Sequence, residues 1–302
     1  MPTLQIALDG PLDLARTLAP LRRGYGDPTM RLAERRCWRA TRTADGPATV
    51  VIDVQGDTVS AEAWGPGADR ALASVPGLIG LHDDRTGFRP LHPVIAELDR
   101  RFRGVRIGRS GAVLESLVPG ILEQKVTGEE ARRAFRGLVR AFGEPAPGPD
   151  TFNLRLPPAP ERLAALPYYG YHAFGVERRR AEVIRRVAAR AAWFEATVEL
   201  PLDEAYARLT ALPGLGPWTA AEVAVRALGD ADAVSVGDYH LPSLVGSVLA
   251  GERGGDDARM LELLEPYRPH RARVIRLIES AGSALWGARR GPRMATRRIE
   301  SI

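Results

Sequence analysis

An α+β fold is predicted, with a small N-terminal antiparallel β-sheet accompanied by helices, then a mainly α-helical body. Two observations predict it. Strand-like runs gather before about residue 85, and helix-period apolar spacing dominates from about residue 90. The chain's 302 residues, 45% hydrophobic and 26% charged, suit two modest domains or one large one. The division expected is an N-terminal mixed α/β domain over 1–88, a helical domain over 89–288 and a basic tail over 289–302.

The elements follow in order. "TLQIAL" places Leu4, Ile6 and Leu8 on one face with period 2, and "LDLARTLAPL" reads as a helix ended by "RRGYGDP". Three strand-like runs come next, "RCWRATRT", "PATVVIDV" and "TVSAEAW", separated by turns at Asp45-Gly46 and Gly56-Asp57. "ADRALASV" is a short helix. Beyond residue 90, helical segments joined by short loops run from "HPVIAELDRRF" to "HRARVIRLIESAG". The Pro-rich "GEPAPGPDTFNLRLPPAPE" is the longest irregular connector, and the tail "GARRGPRMATRRIESI" lacks apolar periodicity.

Composition narrows the function classes. No apolar run approaches the roughly 18 residues of a membrane span, so no membrane partner is expected. The N-terminus "MPTLQIALDG" has neither a basic start nor a small-residue cleavage site, which argues against a signal peptide and for a cytoplasmic protein. The single cysteine, Cys37, excludes an intramolecular disulfide framework, a four-cysteine iron–sulfur cluster and a cysteine zinc site. A net charge of +5 favours a polyanionic partner without proving one. Lys125 is the only lysine, so chemistry that needs a side-chain amine has one candidate.

The most informative stretch is "ALPGLGPWTAAEV" at 211–223. Leu202, Tyr206, Leu209 and Leu212 recur at helical spacing before it, and Ala221, Val225 and Leu228 after it. Pro217 suits a first helical turn, and Gly229 a helix C-terminus. Gly214-x-Gly216 superficially imitates a dinucleotide fingerprint, but that motif must follow a strand and hold a third small residue, where Thr219 stands here. The unit is a helix-hairpin-helix. Its glycines let the amides of Gly214, Leu215 and Gly216 face a DNA phosphate at a helix start; a tight αα-hairpin without ligand is the alternative.

From the hairpin onward, "LPGLGPWTAAEVAVRALGDADAVSVGDYHL" resembles the signature of the helix-hairpin-helix (HhH-GPD) DNA glycosylase superfamily. It is most similar to the 3-methyladenine DNA glycosylase II (AlkA-type) branch, whose hairpin ends "G-x-W-T-A" with an aspartate about twenty residues later. "GVRIGRSGAVLESLVPGILEQKVTGEEARRAFRGLVRAFGE" and "LLEPYRPHRARVIRLI" extend the likeness to roughly residues 1 to 285. The resemblance implies a helical HhH-GPD glycosylase domain and assigns Asp238 the essential carboxylate role. In "SVGDYHLP" that residue also stands at a helix start, where amide donors suit a carboxylate. A fixed carboxylate stabilises the oxocarbenium-like sugar as a flipped-out base departs. Bifunctional members carry a Schiff-base lysine where this chain has Trp218, so the resemblance implies a monofunctional, water-using enzyme.

Further implications are residue by residue. Trp218 and Tyr239 are candidate base-pocket residues, and Gln124, Lys125 and Thr219 candidate DNA contacts. His240 reads as a helix-surface residue. Lys125 occupies the place of an apolar or Gln wedge. Glu222 and Arg276 stand where the branch holds pocket aromatics, which implies a more polar pocket or a Glu222–Arg276 ion pair across it. Tyr168, Tyr169 and Tyr171 are candidate replacements for the missing stacking surface, or packing. The hairpin carbonyls of Thr210, Leu212 and Leu215 match a structural site for a monovalent cation, sodium or potassium; no cofactor is required and no iron–sulfur cluster is expected. The partner implied is double-stranded DNA with damaged bases, met by a nucleoid-associated monomer that excises alkylated purines and so initiates base excision repair. Two other readings remain: a catalytically inactive DNA-binding or damage-sensing protein, and a glycosylase/lyase using Lys125.

Overall fold

A computed structural model describes residues 1–149 and 152–282; the basic tail expected at 289–302 lies outside the described residues. Strand β1 (Thr3–Ala7) precedes helix α1 (Leu14–Leu18), and β2 (Met30–Leu32), β3 (Arg36–Thr43), β4 (Gly46–Gln55) and β5 (Thr58–Trp64) lead into α2 (Ala68–Leu78). The sheet order is β1-β5-β4-β3-β2, with every neighbouring pair antiparallel. Thr43 faces Gly46 and Gln55 faces Thr58, so both inner hairpins close over two residues. The first turn is Ala44-Asp45, one residue earlier than the sequence suggests. β2 also escapes the sequence reading, because three residues are too few to display a period.

Alternation along β4 turns Val50 and Ile52 toward Leu14, Leu18, Leu72 and Val75 of α1 and α2, which builds the first core. Cys37 belongs to this core, and burial pushes its thiol up to about 12, as suits a packing residue. The Pro-rich connector covers part of the other face. Phe152 meets Trp38 edge-on at 4.7 Å, and Leu154 and Leu156 pack on Ala40.

The helical part comprises α3 (Pro93–Arg101), α4 (Val113–Leu122), α5 (Gly128–Phe142), α6 (Pro160–Ala165), α7 (Arg178–Ala188), α8 (Ala191–Glu195), α9 (Leu202–Leu209), α10 (Pro217–Val223), α11 (Leu241–Leu249), α12 (Asp257–Leu264) and α13 (Arg271–Ser280). These helices form two cores. Leu117 and Ile121 of α4 pack with Phe135 of α5 and Ile184 of α7 in one. Ile95 of α3 joins Val245, Leu264 and Ile278 of α11, α12 and α13 in the other. So α3 packs with α11, α12 and α13, far from it in sequence. Between the cores, α10 continues as a π turn, Ala224–Leu228, which Gly229 ends in the left-handed conformation (φ 74°).

Two sets of polar contacts fix these bodies together. Glu115 of α4 accepts from Arg39 Nη2 (2.7 Å), Thr41 Oγ1 (2.7 Å) and the Arg42 amide (2.9 Å), joining β3 to the helices. Arg273 of α13 donates to both carboxylate oxygens of Asp83, at 2.8 and 2.6 Å, and both side chains are buried. Removing one member of such a cluster leaves the other charge buried and uncompensated. Glu115→Ala is therefore expected to cost about 3–5 kcal/mol. A fall in the urea midpoint checks this; an unchanged midpoint contradicts the proposed role of the contact.

Candidate active site

The helices α9 and α10 form the hairpin, and its turn is built on two glycines with different tasks. Gly214 adopts φ 101°, and a Cβ there would lie 2.4 Å from Val183 Cγ2 of α7, so conformation and space both demand glycine. Gly216 is the N-cap of α10, with no capping side chain and open space where a Cβ would stand. Pro217 follows at the first helical position. The amides of Gly214, Gly216, Trp218 and Thr219 make no hydrogen bond among the described residues. One expectation needs correcting. The Leu215 amide donates to Leu212 O at 3.0 Å and the Leu215 side chain is buried, because the turn closes on itself there.

Gln124, just beyond α4, holds the turn from the other side. Its Nε2 donates to Gly214 O at 3.0 Å and to Thr219 Oγ1 at 2.9 Å, and the Thr219 side chain is buried. Both side chains are thus engaged in holding the turn, and Thr219 is buried as a whole residue. Lys125 is exposed beside them and holds φ 56°, a left-handed conformation rare for lysine.

The loop from Gly229 to His240 carries Asp238, and it is clamped along its length. Asp230 accepts from Tyr206 Oη of α9 (2.8 Å) and from the Asp232 amide (2.8 Å). Asp232 takes a fork from Arg271 of α13, with Nε at 2.9 Å and Nη2 at 2.7 Å. The Gly237 amide donates to the Asp257 carboxylate, with its shorter contact at 2.9 Å, while Gly237 itself turns at φ 90°.

Asp238 then meets three donors. Its Oδ1 accepts from the His240 and Leu241 amides, both at 2.8 Å, and its Oδ2 from Trp218 Nε1 at 3.0 Å. The sequence places these two residues twenty apart; the fold joins them directly. A carboxylate offers about four acceptor positions. With three filled, Oδ2 retains one that can face a reacting group. Tyr239 is exposed at 54% and stacks edge-on against the exposed His240 with ring centroids 4.8 Å apart.

One turn beyond Trp218, Glu222 is nearly enclosed. It accepts from Arg226, one further turn along the same helix, and from Ser235 Oγ. Burial alone would raise its carboxyl. Arg226 first, then the Ser235 hydroxyl and Arg23, hold it below the usual range instead. A Glu222–Arg276 pair does not form, because Arg226 reaches Glu222 from the same helical face. Arg276 instead bonds Glu279 Oε2 (3.5 Å) and the Arg16 carbonyl, which docks α13 on the N-terminal body. The sequence reading missed Arg226, although its i,i+4 spacing from Glu222 was the available signal.

Of the three tyrosines, Tyr171 is packing, whereas Tyr169 is open to solvent. Tyr171 is fully buried and donates to Leu163 O at 2.7 Å; Tyr168 lies under the Arg178 guanidinium at 4.6 Å, and Tyr169 is exposed. Arg180 is buried and donates to Leu122 O at 2.7 Å, closing the end of α4. Of the expected cation ligands, Leu212 O already accepts the Leu215 amide, whereas Thr210 O and Leu215 O accept no bond among the described residues. Such a donor set fits a weakly held monovalent cation.

Two measurements check this geometry. Gln124→Ala removes both bonds to the hairpin and is expected to cost about 1–2 kcal/mol, read as a lower thermal midpoint. Glu222, with its folded carboxyl depressed, contributes stability above its unfolded value near 4.5 and loses it as pH falls through the folded value. Urea titrations below about pH 4.5 should therefore show wild type losing stability more steeply than Glu222→Gln. Parallel acid limbs would contradict the pairing.

Comparison with known proteins places the fold. No protein-family model matches the chain. Over 140 residues, 46% of its length, it is 34% identical to a Mycobacterium tuberculosis protein, "Probable bifunctional transcriptional activator/DNA repair enzyme AlkA". That match spans 28% of the relative's length. Among solved structures, a 3-methyladenine DNA glycosylase from Archaeoglobus fulgidus superposes with TM-score 0.76 at 20% identity, over 92% of this chain and 98% of that one. MBOgg1, in complex with a low-affinity DNA ligand, gives TM-score 0.71 at 18% identity over 94% and 96%. A Clostridium acetobutylicum 8-oxoguanine glycosylase/lyase, in complex with double-stranded DNA, gives 0.61 at 13% over 84% and 98%. The chain thus has the α+β fold of the helix-hairpin-helix DNA glycosylases, and its sequence likeness is to the AlkA-type branch.

Proposed function

We propose that the chain is a monofunctional DNA glycosylase that flips a damaged purine out of duplex DNA and hydrolyses its N-glycosidic bond. The observation that supports this reading most is the Trp218–Asp238 hydrogen bond, which joins the hairpin to the carboxylate. Alkylated purines are the substrates that the likeness to AlkA suggests. The binding partner proposed is double-stranded DNA. The free amides of Gly214 and Gly216 hold a phosphate, and Lys125 lies against the strand beside the vacated base position. The carbonyls of Thr210, Leu212 and Leu215 would hold a monovalent cation, which would steady the turn without entering the chemistry.

The steps balance as a hydrolysis. The bond between C1′ and the base nitrogen breaks, and its electron pair leaves with the base. Positive charge develops on the sugar, where the Asp238 carboxylate, already oriented by three donors, stabilises it without reorganising. Water, with the remaining acceptor position of Oδ2 available to orient it, then adds to C1′; its proton passes to the base where that leaves as an anion, or to solvent where the base leaves neutral. Trp218 has no amine for a Schiff base, so strand cleavage at the sugar is not part of the cycle.

Asp238→Asn keeps the volume and the capping geometry but loses the charge. It is expected to bind damaged duplex as wild type does while base release falls by about 10²–10³ or more. Single-turnover release of free base, with binding measured alongside, decides the matter. Full activity in Asp238→Asn would remove the central role of the carboxylate. Binding to abasic DNA with no lesion released by wild type would instead favour a damage-sensing protein. An adduct trapped with borohydride and lost in Lys125→Ala would make it a lyase.

A further inference from the structure

The loop between α1 and β2 carries the most exposed large apolar side chain among the described residues, Tyr25, at 91%. Gly24 and Gly26 flank it, both left-handed at φ 79° and 81°, so the chain turns on either side of the ring. The loop is anchored. Buried Asp27 accepts from the Arg23 amide at 2.6 Å, and from the Thr29 amide and Oγ1 at 2.8 Å each. Tyr25 joins none of the hydrophobic cores, so its ring takes no part in packing the fold.

This loop runs along α5. A Cβ on Gly24 would lie 2.2 Å from Arg132 Cδ, and one on Gly26 would lie 3.8 Å from Arg136 Cδ. The two arginines stand one turn apart on the same face of α5, and the Arg22 guanidinium lies 5.2 Å from the Tyr25 ring centroid. Among the described residues, the side chains of Arg22, Arg132 and Arg136 form no ion pair and no hydrogen bond. Two of the nearby acids are engaged elsewhere. Glu123 takes Arg23 at 3.3 Å, and Glu130 caps Thr127; Glu129 stands exposed on the first turn of α5. The patch continues to the hairpin through consecutive residues. Glu123 lines one cavity with Arg22, Gly24 and Arg132, while Gln124 bonds the hairpin turn. Exposed Lys125 follows, and a Cβ on Gly128 would lie 2.9 Å from Arg132 Nη1.

We infer that this loop and the α5 face form a second DNA contact, on the strand opposite the damaged base. Arg132 and Arg136 hold its phosphates, and Tyr25 stacks on the base left without a partner. The two backbones of B-DNA flank one groove, about 6 Å wide on the minor side and about 12 Å on the major. With one backbone on the hairpin amides and Lys125 at the vacated position, the other backbone meets the cations beyond Lys125. Unpaired arginines are what a phosphate line requires, because no protein acid has to be displaced first. A paired base keeps its faces inside the stack, whereas flipping its partner out frees it to lie on an aromatic ring. Every base has a π-face, so the contact adds affinity without reading sequence. The N-terminal body thereby takes a direct part in binding, which the hairpin alone does not give it.

This inference rests on the DNA-binding reading above, and the test separates the two. Affinity of the full chain is measured for duplexes carrying a tetrahydrofuran abasic analogue, opposite either adenine or a second analogue that offers no base. Tyr25→Ala should bind the first duplex about tenfold more weakly and the second as wild type does, while Tyr25→Phe keeps wild-type affinity for both. With 2-aminopurine opposite the analogue, wild type and Tyr25→Phe should quench its fluorescence, and Tyr25→Ala should not. Arg132→Ala with Arg136→Ala should lower the slope of log affinity against log salt by about two on either duplex. Tyr25 lies outside the cores, so Tyr25→Ala is expected to keep the wild-type thermal midpoint. Unchanged binding in Tyr25→Ala, an equal loss on both duplexes, quenching that survives in Tyr25→Ala, or an unchanged salt slope in the arginine variant overturns the inference. None of these outcomes touches base release, which tests the glycosylase reading by itself. Failure of wild type to bind either duplex overturns both.

Discussion

The hydrogen bond from the Trp218 indole to Asp238 Oδ2, with the two amides on Oδ1, is the contact on which the rest of the site depends. It joins the first turn of α10 to the loop that leads into α11 and fixes a carboxylate before any ligand arrives. Preorganisation of this kind is what an oxocarbenium-like transition state requires, because no dipole then has to turn as charge develops. The hairpin contributes the tryptophan on one flank and free amides on the other. One local unit therefore presents both the free amides of the turn and the partner that directs the carboxylate.

Much of the surrounding structure serves to keep that unit still. The loop leading to Asp238 is tied to α9 through Tyr206 and to α13 through Arg271, while Gln124 holds the turn from the end of α4. Elements of both helical cores thus meet at the site. Arg273 with Asp83, and Glu115 with Arg39, join those bodies by buried ion pairs. Such pairs add little net stability over well-packed apolar residues, but each is costly to break from one side, which favours a single arrangement of the bodies.

Local features were legible in the sequence because local physics determines them. The period-2 runs became β3 to β5, with one turn a residue earlier than read, and Pro217 and Gly229 took the helix-end positions their chemistry suits. Asp238 stood out by its setting before a helix and by the family resemblance, and the fold gives its carboxylate three donors. What escaped was tertiary. Nothing local says that Leu215 spends its amide on Leu212, that Thr219 turns inward to Gln124, or that α3 packs with α11, α12 and α13. Glu222 shows the boundary well. Its departure from an aromatic was visible, yet its partner depended on which of two arginines the fold brought near, and the same-helix one prevailed.

The central claim is that Asp238 is held ready to stabilise positive charge on a sugar. It is tested most directly by the affinity for duplex DNA carrying a pyrrolidine abasic analogue, cationic where the oxocarbenium is cationic, against the neutral tetrahydrofuran analogue. A ligand that resembles the transition state should bind the tighter of the two by about 10²-fold or more. Asp238→Asn should bind both alike. Equal binding of the two analogues by wild type, or a preference that survives in Asp238→Asn, would contradict the account.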